Sequence, residues 1–81
     1  MILDRYFIVK FFYVYFRILE LNPDHVQAQH NLCVVYVEKG LLEVAKDCLE
    51  KAVKLAPNEE YIKNHLNIVV KKLKSQSQKE N

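Results

Sequence analysis

The sequence predicts an all-α fold, a stack of helical hairpins with about four antiparallel helices. Three observations carry that prediction. Only one glycine and two prolines stand in 81 residues, too few turn formers for a β-sandwich. Apolar residues recur at the i, i+3, i+4, i+7 spacing of a helix face. Pro57 follows Pro23 by 34 residues, and each precedes Asp or Asn, residue types suited to start a helix. A chain this short buries only about 60% of its unfolded surface, so it holds one small domain at most.

Met1 to Glu20 is mostly apolar and aromatic. Ile8, Phe11, Phe12, Tyr15, Ile18 and Leu19 share one helical face, while Phe7, Val14 and Phe16 make the other face apolar as well. The composition also suits a strand, but the spacing predicts helix from about Ile8. Leu21-Asn22-Pro23-Asp24 ends it, because the residue before a proline is pushed out of the α region. Asp24 is expected to cap the second helix, about His25 to Lys39, with Gln27 as its capping-box partner. The run Leu32 to Val37 is apolar on every side, as the middle of a stack requires.

Gly40 suits the left-handed position just past a helix end. The third helix follows, about Leu41 to Leu55, with Ala45, Cys48, Leu49, Ala52 and Val53 as its apolar stripe. Asp47–Lys51 and Glu50–Lys54 are spaced as supporting i, i+4 ion pairs. Asn58 is expected to cap the fourth helix, with Glu59 and Glu60 at its positive end. Ile62, Leu66, Val69, Val70 and Leu73 form its stripe. Residues 75–81, SQSQKEN, contain no apolar side chain and are expected to form a disordered polar tail.

A shift of 34 residues lays Leu19 on Val53, Leu21 on Leu55, Pro23 on Pro57, Leu32 on Leu66 and Tyr36 on Val70. That helix-turn-helix period resembles the tetratricopeptide repeat, TPR. The pattern is matched at Leu32, Tyr36, Gly40, Ala45, Ala52, Leu55 and Pro57. The sequence departs from it at Gln29, where an aromatic is usual, and at Cys33, where a small residue is usual. One complete repeat spans 26–59 within a repeat region at 17–74, flanked by half-repeats. The strings HNLCVVY, at His30 to Tyr36, and LAPNEEYI with HLNIV, at Leu55 to Val69, resemble the C-terminal end of the transmembrane and TPR repeat-containing proteins. That family resembles O-mannosyltransferases of the endoplasmic reticulum membrane, with lumenal repeats. The resemblance implies a fragment on the lumenal side, with membrane attachment and catalysis supplied by a part absent here. Met1 to Phe16 departs from the family. FIVKFFYVYF is the composition that a pyrimidine-rich intron end gives on translation, which sets the expected start of the genuine exon near Arg17.

The first helices line the groove of a TPR stack, so the resemblance points Gln27, His30, Asn31, Val34, Val37 and Glu38 into it. Asn31 matches the asparagine that grips peptide backbone or carboxylate in some TPR clamps. A full clamp also needs Lys or Arg at set positions, and the matching places hold Gln27, Tyr61 and His65. The implied partners are a protein or peptide and neighbouring repeats lying outside this chain. A free-standing cytosolic, hence cytoplasmic, peptide adaptor is the alternative.

Other chemistry finds little support. A net charge of +2 is too small to call for nucleic acid. The longest uncharged apolar run of the N-terminal segment, Phe11 to Phe16, is six residues, against roughly 18–20 for a membrane span. No phosphate-cradling glycine loop and no nucleophile beside a histidine are present, and Ser75 and Ser77 lie in the tail. No cofactor is implied, and the chain itself is expected not to be an enzyme. His30 and His65 stand nearly one period apart and are placed to approach across first helices. They lack the further ligands of a zinc centre, so no metal is expected. Cys33 and Cys48 read as buried thiols behaving as small hydrophobes. A disulfide between them is the reading for an oxidising lumen.

Overall fold

The computed structural model describes residues 2–79, and the side chains of residues 10–77. Four helices follow one another: α1, Ile2–Leu21; α2, Val26–Glu38; α3, Leu42–Leu55; and α4, Glu60–Lys79. Each packs against the next, α1 on α2, α2 on α3 and α3 on α4. The ends of α1 and α3, at Leu21 and Leu55, and the starts of α2 and α4, at Val26 and Glu60, reproduce the 34-residue register.

Matched turns set that register. The His25 amide donates to the Asn22 carbonyl at 3.1 Å, and the Glu59 amide donates to the Ala56 carbonyl, also at 3.1 Å. Each bond closes a four-residue turn whose second residue is proline, with its φ already fixed for that place. Asp24 and Asn58 are the third residues of these turns. This corrects both expected caps, because those two side chains belong to the turn and lie one position too early. The α2 cap is His25, whose Nδ1 accepts the Ala28 amide at 3.1 Å.

Between α2 and α3 the chain turns at Gly40, with φ +79°. The Gly40 amide donates to the Val37 carbonyl and the Leu41 amide to the Tyr36 carbonyl, each at 3.0 Å. These are the two bonds of a Schellman ending. A Cβ at Gly40 would meet nothing within 4 Å, so the glycine is needed for its backbone alone. Gly40→Ala is therefore expected to cost about 1–2 kcal/mol, the left-handed penalty for an L-residue. Urea unfolding checks this, and Gly40→Asn is expected to cost less.

The core lies along α3. Ala45, Leu49 and Ala52 are fully buried against Leu32 and Cys33 of α2 and against Ile62 and Val69 of α4. Small residues at 45 and 52 let the neighbouring helices approach closely. Phe12, Tyr15 and Leu19 pack α1 onto this core. Phe12 meets the Tyr36 ring edge-on at 5.7 Å, and the Lys39 ammonium sits 5.9 Å from its centroid. Among the described side chains of α1, Phe11, Tyr13 and Phe16 are exposed.

Other expectations also change. Helix α1 begins at Ile2, not near Ile8. Helix α4 continues through residues 75–79, where a disordered tail was expected. Gln and Lys are good helix formers, no breaker intervenes, and extending a formed helix needs no new nucleus. Residues 80–81 of that tail lie outside the described residues. The ion pairs found among the described residues are Arg17–Glu20 at 3.3 Å and Glu60–Lys63 at 4.0 Å. The expected pairs along α3 are not drawn together, since long exposed side chains gain little by holding one geometry.

The two cysteines correct the thiol reading. They are buried, but Cys33 and Cys48 are joined as a disulfide with their Cα atoms 5.4 Å apart. The bond ties α2 to α3. Gln29, at the place where the repeat pattern has an aromatic, is buried beside it. Its Nε2 donates to the Cys48 carbonyl at 3.4 Å, and its own carbonyl oxygen lies 3.0 Å from Cys33 Sγ.

Candidate functional site

Helix α2 stands between α1 and α4 and presents a polar and aliphatic strip. At 100° per residue, Gln27, His30, Asn31, Val34, Val37 and Glu38 fall within an arc of roughly 120°. The buried residues Ala28, Gln29, Leu32 and Cys33 fall outside that arc. Gln27 and Glu38 are exposed, and His30, Asn31 and Val34 are half-buried. Val37 differs from the expectation in one respect, since it also packs against the core. The Gln27 side-chain amide donates to Asn31 Oδ1 at 3.1 Å. That bond fixes the Asn31 rotamer and leaves its own amide N–H groups available as donors.

On one flank of the strip, Phe11 and Tyr15 of α1 join Asn31, Val34 and Glu38 around a shallow cleft of about 180 Å³. The two α1 rings stack with centroids 6.1 Å apart. On the other flank, α4 contributes Tyr61 and His65. The His30 ring meets Tyr61 edge-on at 5.1 Å and His65 at 5.3 Å. His30 Nε2 lies 3.2 Å from His65 Nδ1, so the expected approach of these histidines across first helices is realised. His30 Nδ1 is buried with no hydrogen-bond partner. The strip thus runs from an aromatic cleft to an imidazole cluster.

Burial holds both imidazoles below the ordinary histidine pKa. For His30 the neighbouring His65 adds to the effect, and for His65 the Lys72 ammonium does so. The two facing nitrogens share one proton, and a second would set two N–H groups against each other. Stability therefore depends on pH with a definite sign. The unfolded chain protonates first as pH falls through about 6.5, so the folded state loses stability from there down to the lowered folded values. Denaturant unfolding at pH 7.5 and pH 5.5 is expected to give a lower midpoint at pH 5.5. Replacing both histidines by glutamine is expected to remove most of the difference.

A second, larger cleft, of about 460 Å³, opens between α1 and α3. Phe16, Leu19 and Pro23 line one side, Val44, Asp47 and Lys51 the other, with Gln29 and Cys48 between them. None of the expected groove residues lines it. Among the described residues no group of three His, Cys, Asp or Glu side chains is arranged to hold a metal ion. Nor is any described helix long and apolar enough to cross a membrane.

The geometry is that of packed helical hairpins, and similarity to known proteins places it more narrowly. The chain is 56% identical over 61 residues to the human protein O-mannosyl-transferase TMTC3, a match covering 75% of this chain and 7% of that protein. The mouse protein of the same name is 51% identical over 59 residues, 73% of this chain and 6% of the relative. The matched stretch is similar to a short part of the TMTC3 proteins. The Drosophila Tmtc3 protein agrees at 49% identity over 59 residues. The chain spans less than a tenth of the length of these TMTC relatives, so it corresponds to a fragment of them. No protein-family model matches the sequence, and no solved structure matches it.

Two residues flanking the strip escape sequence reasoning in this TMTC-like chain. Phe11 and Tyr15 sit on α1, whereas the TPR resemblance points only to residues of α2 as groove-lining. The clue to them is spacing, since Phe11 and Tyr15 are four apart and face α2 along the same stripe as Leu19.

Proposed function

We propose that this chain acts as a peptide-docking segment of a larger TMTC-type protein, on the lumenal side of the endoplasmic reticulum membrane. In this reading it does not itself catalyse mannosyl transfer. The whole protein carries that activity elsewhere, and this segment holds a protein or peptide, or packs against further repeats. The observation that carries the reading is the continuous strip on α2, bounded by aromatic side chains of both neighbouring helices. An extended peptide laid along it would meet Asn31 amide donors, the Val34 side chain and ring faces at either end. The Cys33–Cys48 bond supports the lumenal side over the cytosolic adaptor, because disulfides persist in oxidising compartments.

The test is selection of peptides from a random library against the oxidised chain, followed by affinity measurement on variants. Asn31→Ala and Tyr61→Ala are expected to weaken the selected peptides. Lys51→Ala, at the cleft between α1 and α3, is expected to leave them unchanged. Peptides that lose affinity only with Lys51→Ala would refute the assignment of the α2 strip.

A further inference from the structure

We propose that His30 and His65 form a two-imidazole site for a divalent transition-metal ion of the zinc and nickel class, bridging α2 and α4. The site stands on these two side chains, whatever the strip binds. Two imidazole nitrogens on one tetrahedral ion, each at about 2.0–2.1 Å, stand roughly 3.3 Å apart. The His30 Nε2 to His65 Nδ1 distance is 3.2 Å. The helices therefore already hold both donors at the separation of adjacent ligands on one ion. The ion would sit off the line between the two nitrogens, and both rings would tilt to aim their lone pairs at it.

The proton balance is favourable. An ordinary imidazole, with a pKa of about 6.5, is already mostly neutral at pH 7.5, so little imidazolium has to be deprotonated. One of the facing nitrogens bears a proton in the bond that joins them. For His30, moving that proton from Nε2 to Nδ1 frees the lone pair that faces His65. Nδ1 has no partner, so the tautomer change breaks no hydrogen bond except the one the ion replaces. No proton is released, and the ion gains two neutral donors of the type that suits zinc, copper and nickel.

The remaining coordination positions are open, because no third protein ligand stands nearby among the described residues. Water fills them, or a donor from a bound chain does. The site is thus an open one in the sense of a catalytic or exchangeable metal, not a closed structural one. The third histidine makes an internal control. His25 is committed to the α2 cap through Nδ1 and lies outside the pair.

Calorimetric titration of the full 81-residue chain, oxidised, with Zn²⁺ alone at pH 7.5 tests this. Saturable 1:1 binding is expected, with a rise in melting temperature. His30→Ala and His65→Gln are each expected to weaken it by more than the roughly 10–100-fold that loss of an outer-shell partner causes. His25→Asn, which retains a capping side chain, is expected to bind as the parent does. Circular dichroism checks that each variant is folded, and ring-nitrogen NMR shifts of the parent report the bound atoms independently. Absence of saturable binding overturns the proposal. So does binding that survives both substitutions, or that disappears with His25→Asn.

Discussion

Reduction of the Cys33–Cys48 bond is expected to lower the unfolding free energy by about 3 kcal/mol. The two cysteines are 15 residues apart, and closing a loop of that size removes about that much chain entropy from the unfolded state. For a chain of this length the whole stability is about 4–12 kcal/mol at the usual 0.05–0.15 kcal/mol per residue. The bond is thus a substantial share of it. Melts followed by circular dichroism with and without reductant should separate clearly, the reduced form unfolding first. A Cys33→Ala, Cys48→Ala double variant should melt near the reduced form and be indifferent to reductant. Coincident melts would show that the reduced hairpin packs as well as the bridged one.

Leu49→Ala is the other large effect. Leu49 is fully buried in α3, within the cluster formed by α2 and α4 residues on either side. Truncation removes the transfer free energy of the lost methyl groups and leaves a cavity that three helices must partly keep, about 2–5 kcal/mol. Leu49→Met, which conserves volume, is expected to cost less than about 1.5 kcal/mol. Urea midpoints on oxidised protein measure both. Combined with reduction, Leu49→Ala is expected to leave no cooperative transition.

These two effects differ in how far the sequence reveals them. Leu49 is legible because it lies on a stripe with Ala45 and Ala52, and that period needs no knowledge of the partner. The Gly40 turn and the two proline turns are legible for a similar reason, since each residue imposes a backbone demand that few structures meet. The caps are less so. Asp24 and Asn58 serve equally well in a turn or at a helix start, and the proline before each decides for the turn. The disulfide is illegible from spacing alone, because only the facing of α2 and α3 brings positions 33 and 48 within bonding distance. Of the strip, the α2 residues follow from one helical arc. Phe11 and Tyr15 depend on how α1 is rotated against α2, which its two apolar faces leave undetermined. The reach of α4 past residue 75 depends on propagation along a formed helix, which composition does not display.

The bridge between α2 and α3 also has a mechanical meaning. A chain pulled from its two ends transmits force through covalent bonds, and the Cys33–Cys48 link offers a shorter path than the backbone between them. The Gly40 turn and the first part of α3 therefore bear no load, and remain hidden from tension while α1 and α4 are drawn out. At about 3.3–3.6 Å per extended residue, the 15-residue interval withholds roughly 50 Å of contour length until the bond is reduced. Under tension this hairpin is a stiff coil with a fixed stop.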